Sequence, residues 1–202
     1  MVDQQTESLW AHLLGEAMRG PLQGAVLKSI PSVMTDWKTW RTHHPETTVV
    51  VMPRTAGQYR RSFHMQDSGI VIGLAEKERS RHWSFAFLYD KPVINDHFAT
   101  QPVVVVFHRP SFTAVIYDRR VQGKTLTFER KAGQLMDRET GTVWNLLTGV
   151  AISGKLKGKK LKRLNGIVSD AAVWATFHPL NDTQWRPETI SQSSAVPMKK
   201  SK

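Results

Sequence analysis

The chain has 202 residues, of which 40% are hydrophobic and 22% are charged, a composition typical of a folded globular protein. It carries 28 Lys and Arg against 17 Asp and Glu, and the resulting net charge of +11 favours anionic partners. It has no cysteine, which excludes disulfides, cysteine-ligated zinc and thiol nucleophiles within the chain. No apolar run is long enough to span a bilayer, and the opening residues MVDQQTESLW do not show the pattern of a signal peptide.

The first 52 residues predict short β segments around glycine-rich turns, then one helix, then a strand in TTVVVM. Asp36 is the expected N-cap of the helix, and Pro45 follows its expected end. Trp40 and His44 are four residues apart and therefore share a helix face, so we interpret this histidine as a capping and packing residue. The polar residues 53–68 are predicted to form a linker.

Residues 70–130 predict a series of strands, because short β-branched and aromatic segments alternate with turn residues. These segments are IVIGL, HWSFAFL, PVVVVFH, TAVIYDR and KTLTFER. PVVVVF is continuously apolar, which indicates a central strand buried on both faces. VQGK between the last two segments predicts a hairpin, with Gly123 at a positive φ. A second helix is expected after Asp170 and before Pro179, and residues 182–202 are predicted to be largely disordered, apart from Trp185.

The sequence matches itself when it is shifted by 134 positions. Of the 43 positions from Asp3 to Pro45, 16 are identical to their partners between positions 137 and 179. The shared residues include tryptophans, glycines and the His-Pro pair after each predicted helix. A self-match of this length indicates a duplicated module.

One repeat segment, GVAISGKL at 149–156, is similar to a phosphate-binding loop. Leu156 replaces the hydroxyl residue that such a loop uses to bind magnesium, and the matching segment GEAMRGPL has Pro21 instead of the lysine. The glycines are kept without the lysine, so they indicate turns, and we predict no cofactor.

The predicted fold is mainly β, of the α+β class: a duplicated β-rich module with one short helix per repeat and an incomplete first repeat. Residues 1–52 form the C-terminal half of the first repeat, 53–68 the linker, 69–181 the complete second repeat and 182–202 the tail. The first repeat lacks a counterpart of the strands at 70–130. Either the duplication was partial or the chain is part of a longer protein, and we favour the second explanation. The uncovered sheet edge predicts self-association.

Asp96, His97 and His108 flank the predicted buried strand and are the candidate catalytic residues. Imidazole and carboxylate groups at one sheet edge can act as a general base or a weak metal site. Turn chemistry explains Asp96 equally well. The sequence has no His-x-x-x-His pair, and no metal is predicted.

A basic cluster occurs in only one copy of the repeat. It consists of Lys155, Lys157, Lys159, Lys160, Lys162 and Arg163. The matching first-copy segment, PLQGAVLKS, has only Lys28, so the fold does not need these charges. They indicate either a solvated face or contact with nucleic acid, acidic glycan or anionic lipid.

Several motifs together resemble DUF3179, a prokaryotic domain family of unknown function. They are VINDHF, PVVVVFHRPSFTAVIYDRRVQGKTLTFE, LMDRETGTVWNLLTGVAISGKLKGKKL and VWATFHP, and the resemblance covers most of residues 1–181. It implies a longer protein, often exported or in the cell envelope, and no activity. Family members often carry a Cys-Pro-x-Cys stretch. This chain has the segment 108–111, HRPS, at the related place, so the resemblance implies no cysteine site here.

The leading functional hypothesis is a non-enzymatic binding or structural module of unknown ligand. The alternative is an enzyme or metal-binding protein with a site near His97 and His108. Salt-dependent binding through the lysines would favour the first, and stoichiometric metal lost in His108→Ala would favour the second.

Overall fold

The computed structural model of the chain describes residues 1–49, 69–76, 79–179 and 182–186. These residues form fifteen strands and three short helices, which confirms the β-rich α+β class. The strands are β1 (Leu9–Ala11), β2 (Glu16–Arg19), β3 (Ile70–Glu76), β4 (Arg79–Ser84), β5 (Val93–Phe98), β6 (Gln101–His108), β7 (Thr113–Asp118), β8 (Arg120–Val121), β9 (Lys124–Thr125), β10 (Phe128–Lys131), β11 (Gln134–Asp137), β12 (Val143–Trp144), β13 (Ala151–Ser153), β14 (Ile167–Asp170) and β15 (Asp182–Gln184). The helices are α1 (Trp37–His43), α2 (Phe85–Asp90) and α3 (Ala171–Phe177). Among the described residues, no helix has the length and apolarity to cross a membrane.

Strand β6 is the centre of the fold. It pairs antiparallel with β5 on one side and with β7 on the other, and every residue from Val103 to Phe107 is fully buried. Because successive side chains of a strand point to opposite faces, Val103 and Val105 enter one hydrophobic cluster and Val104 and Val106 enter another. The structure therefore confirms the predicted strand buried on both faces.

Two layers cover the two faces of this central sheet. One cluster includes Ile72 and Trp83 from the sheet ordered β14-β3-β4-β15, together with residues of α2. The other includes Phe128 and Trp144 from the sheet ordered β10-β11-β12-β13, and also Leu161. Each layer is mostly apolar towards β6, so the two clusters form the core of the second repeat.

Both terminal helices begin and end as the sequence predicts. Asp36 accepts a hydrogen bond from the backbone N–H of Thr39, and Asp170 accepts from the N–H groups of Ala172 and Val173. At the other end a histidine ring lies against the tryptophan four residues earlier. The ring centroids are 4.1 Å apart for the Trp40–His44 pair and 4.3 Å apart for the Trp174–His178 pair.

The segment HWSFAFL does not continue as a strand. Ser84 ends β4 and caps α2, because its side chain accepts a hydrogen bond from the N–H of Ala86. Phe85 and Leu88, three residues apart, both face the core, a spacing that suits a helix and not a strand. The predicted VQGK hairpin does form, between β8 and β9, with Gln122 at φ 51° and Gly123 at φ 78°.

Some predictions concern residues at the edges of the described part. Residues 182–184, which fall in the predicted disordered tail, form β15, which pairs parallel with β4, and Trp185 packs against the first cluster. Residues 187–202 lie outside the described residues. So do the predicted linker 53–68 and positions 50–52 of the predicted TTVVVM strand, whose positions 47–49 form neither helix nor strand.

The two copies of the repeat adopt the same local structure. In the first copy Asp3 accepts hydrogen bonds from Trp10 Nε1 at 3.0 Å and from the Thr6 hydroxyl at 2.7 Å. In the second copy Asp137 accepts from Trp144 Nε1 at 2.9 Å and from the Thr140 hydroxyl at 2.9 Å. A set of hydrogen bonds reproduced at the same spacing supports the duplication that the sequence indicates.

The copies differ in what covers them. Leu161 in the second copy is 2% exposed because it packs beneath the central sheet, whereas its first-copy partner Leu27 is 53% exposed. The first copy also leaves Val26 and Ile30 largely exposed. Among the described residues no sheet covers this apolar face, and self-association of the chain stays a prediction.

This matched pair gives a test of stability. Leu161→Ala should lower the free energy of unfolding by roughly 2–5 kcal/mol, because it opens a cavity in a packed core. Leu27→Ala should change it by less than about 0.5 kcal/mol, since the side chain is half exposed. Urea denaturation of both variants measures the difference. Equal losses would mean that the first copy is covered in solution.

Candidate functional site

Asp96, the first candidate catalytic residue, lies in a structural ion pair. Its carboxylate accepts hydrogen bonds from Arg81 Nε at 2.7 Å and Arg81 Nη2 at 3.1 Å, and from Trp83 Nε1 at 3.0 Å. The Asp96 side chain is only 14% exposed. With both oxygens occupied, this carboxylate joins β5 to β4 and is not presented to a ligand.

The structure does not bring His97 and His108 together. His97 pairs with Pro102 at one end of β6, and His108 lies six residues further along, at the other end. At roughly 3.3 Å per residue this places the two backbones about 20 Å apart. Within the described ranges no three His, Asp or Glu side chains form a group that could hold a metal ion.

His108 belongs instead to a chain of hydrogen bonds that links the two repeats. Its Nδ1 lies 2.6 Å from the Ser111 hydroxyl oxygen, which lies 2.7 Å from that of Thr113. The Thr113 hydroxyl in turn donates to the hydroxyl oxygen of Thr35 at 2.8 Å. Thr35 comes from the first repeat and directly precedes the N-cap Asp36 of α1, so the chain ties α1 to the central sheet.

The direction of these bonds assigns the tautomer of His108. The one hydroxyl proton of Thr113 is directed to Thr35 or to the backbone carbonyl of Ser111, so the proton between the Ser111 and Thr113 hydroxyls comes from Ser111. The proton between His108 and Ser111 then comes from Nδ1. In a neutral ring with Nδ1 protonated, Nε2 carries the lone pair. Nε2 has no hydrogen-bond partner among the described residues, and the side chain is half-buried.

An open cleft of about 790 Å³ lies beside this histidine, and we call it the α1 cleft. One wall is α1 with its N-cap, and the other is the end of β6 with the 3-10 turn Arg109–Ser111 that follows. The lining residues are Asp36, Trp37, Lys38, Thr39, Thr42, His43, His108, Pro110, Ser111, Phe112 and Leu147. The cleft is therefore built from both repeats.

The electrostatics keep His108 uncharged. Burial is the main cause that lowers the pKa of His108 below 6.5, and the positive charge of Arg130 lowers it further, while Asp36 opposes both. His43 also faces this ring and lowers its pKa. At Asp36 burial raises the pKa, but hydrogen bonds from Thr39 outweigh it, and the net shift is downward. Near pH 7 the cleft thus contains a neutral imidazole and an ionised carboxylate.

The sequence points to His108 but not to its partners. In the sequence Asp36 indicates only a helix cap, and neither Ser111 nor His43 stands in a recognisable catalytic motif. The spacing of His108 and Ser111, three residues apart around a proline, is the one signal for the first contact. No sequence signal places Thr35 next to Thr113, because that contact spans 78 positions.

The basic cluster divides into two parts. Lys155, Lys157, Lys159, Lys160 and Lys162 are exposed. Arg163 is half-buried, donates a hydrogen bond to the carbonyl oxygen of Leu147, and lies 6.0 Å from the ring centroid of Tyr117. The arginine is therefore a structural residue, and only the lysines remain candidates for contact with an anionic partner.

Comparison with known proteins identifies the family. A family model described as a protein of unknown function (DUF3179) matches residues 1–66 and residues 51–184. The chain belongs to the DUF3179 family. The two matches each contain one copy of the repeat, as a DUF3179 protein with a repeated segment would show. Searches of curated proteins and of solved structures found no match.

The role of Asp96 can be tested with a second ion pair as control. Asp96→Ala should cost about 3 kcal/mol of unfolding free energy, because it leaves Arg81 and Trp83 without their acceptor. Glu129→Ala breaks the exposed pair with Arg138 and should cost less than about 1 kcal/mol. Chemical denaturation of both variants is the measurement, and equal costs would contradict the structural role.

The state of His108 can be tested by nitrogen NMR of histidine-labelled protein. Near pH 7.5 its Nδ1 should appear protonated and its Nε2 unprotonated, and its titration midpoint should fall below 6.5. Because the folded pKa is lowered, the unfolded chain binds the proton more readily. The resulting stability is present above pH 6.5 and is lost as the pH falls through the folded pKa. His108→Gln should remove this part of the pH dependence, and an unchanged profile would contradict the assignment.

Proposed function

We propose that this chain is a binding module that takes a small organic anion in the α1 cleft. The observation that carries the proposal is the cleft itself, whose volume of about 790 Å³ lies in the range of small-molecule sites. Such sites combine apolar walls with a few polar groups that fix the orientation of the ligand. The α1 cleft has both.

The apolar walls support a ligand with a flat body. Trp37, on α1, is 49% exposed, which is unusual for a side chain of this size. Phe112 and Leu147 are half-buried and line the other parts of the cleft. A ligand ring placed between them would remove apolar surface of Trp37 from water.

The polar groups support a negative charge on that ligand. Lys38 and His43 line the cleft, and Arg130 is close enough to lower the pKa of His108. The one carboxylate of the cleft, Asp36, is already engaged by the backbone and hydroxyl groups of Thr39. A bound carboxylate would therefore meet two cationic side chains, Lys38 and Arg130, against one ionised carboxylate, Asp36.

The test compares three ligands of the same shape. Benzoate, benzyl alcohol and benzylamine differ in charge, and ligand-observed NMR should rank benzoate first, with a dissociation constant on the order of 1 mM. Trp37→Ala should weaken all three, and Lys38→Ala should remove the preference for benzoate. Lys124→Ala, on the distant β8–β9 hairpin, is the charge-matched control. The proposal is refuted if the unaltered protein binds all three ligands equally tightly. It is also refuted if Trp37→Ala binds each ligand as tightly as the unaltered protein does.

An enzyme is the alternative function, and the free Nε2 of His108 is the observation that favours it. A neutral imidazole with its lone pair at a cleft can act as a general base or as a nucleophile towards an activated ester. The assigned tautomer does not favour Ser111 as a nucleophile, because its proton points to Thr113 and not to His108. If the alternative holds, the protein cleaves 4-nitrophenyl acetate faster than free imidazole does, and His108→Gln abolishes this rate.

A further inference from the structure

A rigid turn in the second repeat presents a row of lysines. The turn spans residues 154–162, and we call it the lysine turn. It carries five lysines, all exposed, and none of the ion pairs among the described residues involves them. Their positive charge is therefore directed to solvent and not neutralised by the protein itself.

The first repeat contains the same turn with only one of the five lysines, Lys28. In the lysine turn the N–H of Gly158 donates to the carbonyl of Ala151 at 2.9 Å, and in the first copy Gly24 donates to Ala17 at 2.8 Å. The closing bond is also matched, from Leu161 to Gly149 at 2.9 Å and from Leu27 to Gly15 at 2.8 Å.

Because the same backbone forms without the lysines, they are not required for folding. Four of the five replace uncharged residues, which are Pro21, Gln23, Ala25 and Val26 in the first copy. The backbone hydrogen bonds define the shape of the turn, so the five lysines are carried on one short hydrogen-bonded segment.

The neighbouring residues identify the kind of anionic surface. Ile152, in the strand that leads into the turn, is 48% exposed, so an aliphatic side chain lies close in sequence to the lysines. The segment 152–162 contains no aromatic or Arg residue that could stack on a base, so it offers a nucleic acid mainly the charge of its lysines. Lysines with an adjacent aliphatic residue suit a lipid surface, where cations meet headgroups and the apolar side chain enters the interface.

We propose that the lysine turn is a docking surface for an anionic lipid bilayer. Lysines near a membrane rich in anionic lipid are attracted by its negative surface potential, and the attraction weakens with added salt. The five lysines together are enough for reversible attachment at low ionic strength. The surface is separate from the α1 cleft, so the two proposals can fail independently.

The experiment measures sedimentation of the full chain with vesicles. Vesicles of phosphatidylcholine with about 30% phosphatidylserine should bind the protein, and vesicles of phosphatidylcholine alone should not. Lys159→Glu with Lys160→Glu should weaken binding by at least about tenfold, because it reverses two charges in the turn. The control is Lys124→Glu with Lys131→Glu, which changes the net charge by the same amount. Lys124 is on β9, and Lys131 is on β10, at the opposite edge of its sheet from β13, the strand that leads into the lysine turn. Thermal melting of both variants checks that they are folded.

The outcomes separate the possible partners. Loss of binding in the turn variant together with retention in the control supports the lipid surface. Equal loss in both variants would show attraction by net charge alone and would overturn the proposal. The proposal is also overturned if neither vesicle binds, or if a DNA duplex of about 20 base pairs binds through Lys159 and Lys160 more tightly than the vesicles do.

Discussion

The requirement to bury β6 on both faces determines the rest of this structure. Five consecutive apolar residues, Val103 to Phe107, cannot be screened by one layer, because alternate side chains leave opposite sides of the sheet. One side is covered by β3, β4 and α2, and the other by the sheet from β10 to β13. His108 follows this buried run at the end of β6 and is half-buried.

The duplicated module illustrates how local and long-range forces differ. Each copy contains an aspartate that accepts hydrogen bonds from a tryptophan and a threonine of the same copy. The burial of Leu161 needs the central sheet, and its partner Leu27 remains exposed without one. The two copies therefore share their local hydrogen bonds. Only the second copy also buries its leucine, Leu161, against the central sheet.

The sequence is most informative where short-range chemistry decides the structure. The double burial of β6, the turn at Gly123 and the caps at Asp36 and Asp170 all follow from patterns within about ten residues. The sequence is a poorer guide where contacts with distant parts of the chain decide the structure. The segment after Ser84 has strand-forming residues but becomes α2, because the serine caps it and two apolar side chains reach the core from one helix face. The sequence makes Asp96 a candidate catalytic residue because it does not show the ion pair with Arg81, which lies on another strand.

The α1 cleft cannot be deduced from the sequence, because it exists only where the two repeats meet. Thr35 belongs to the first copy, yet its hydroxyl oxygen accepts the hydrogen bond from Thr113 in the series that leads through Ser111 to Nδ1 of His108. The first copy of the repeated segment thus contributes directly to a site beside the second. It supplies a wall of the cleft and one end of the hydrogen-bond series that holds His108.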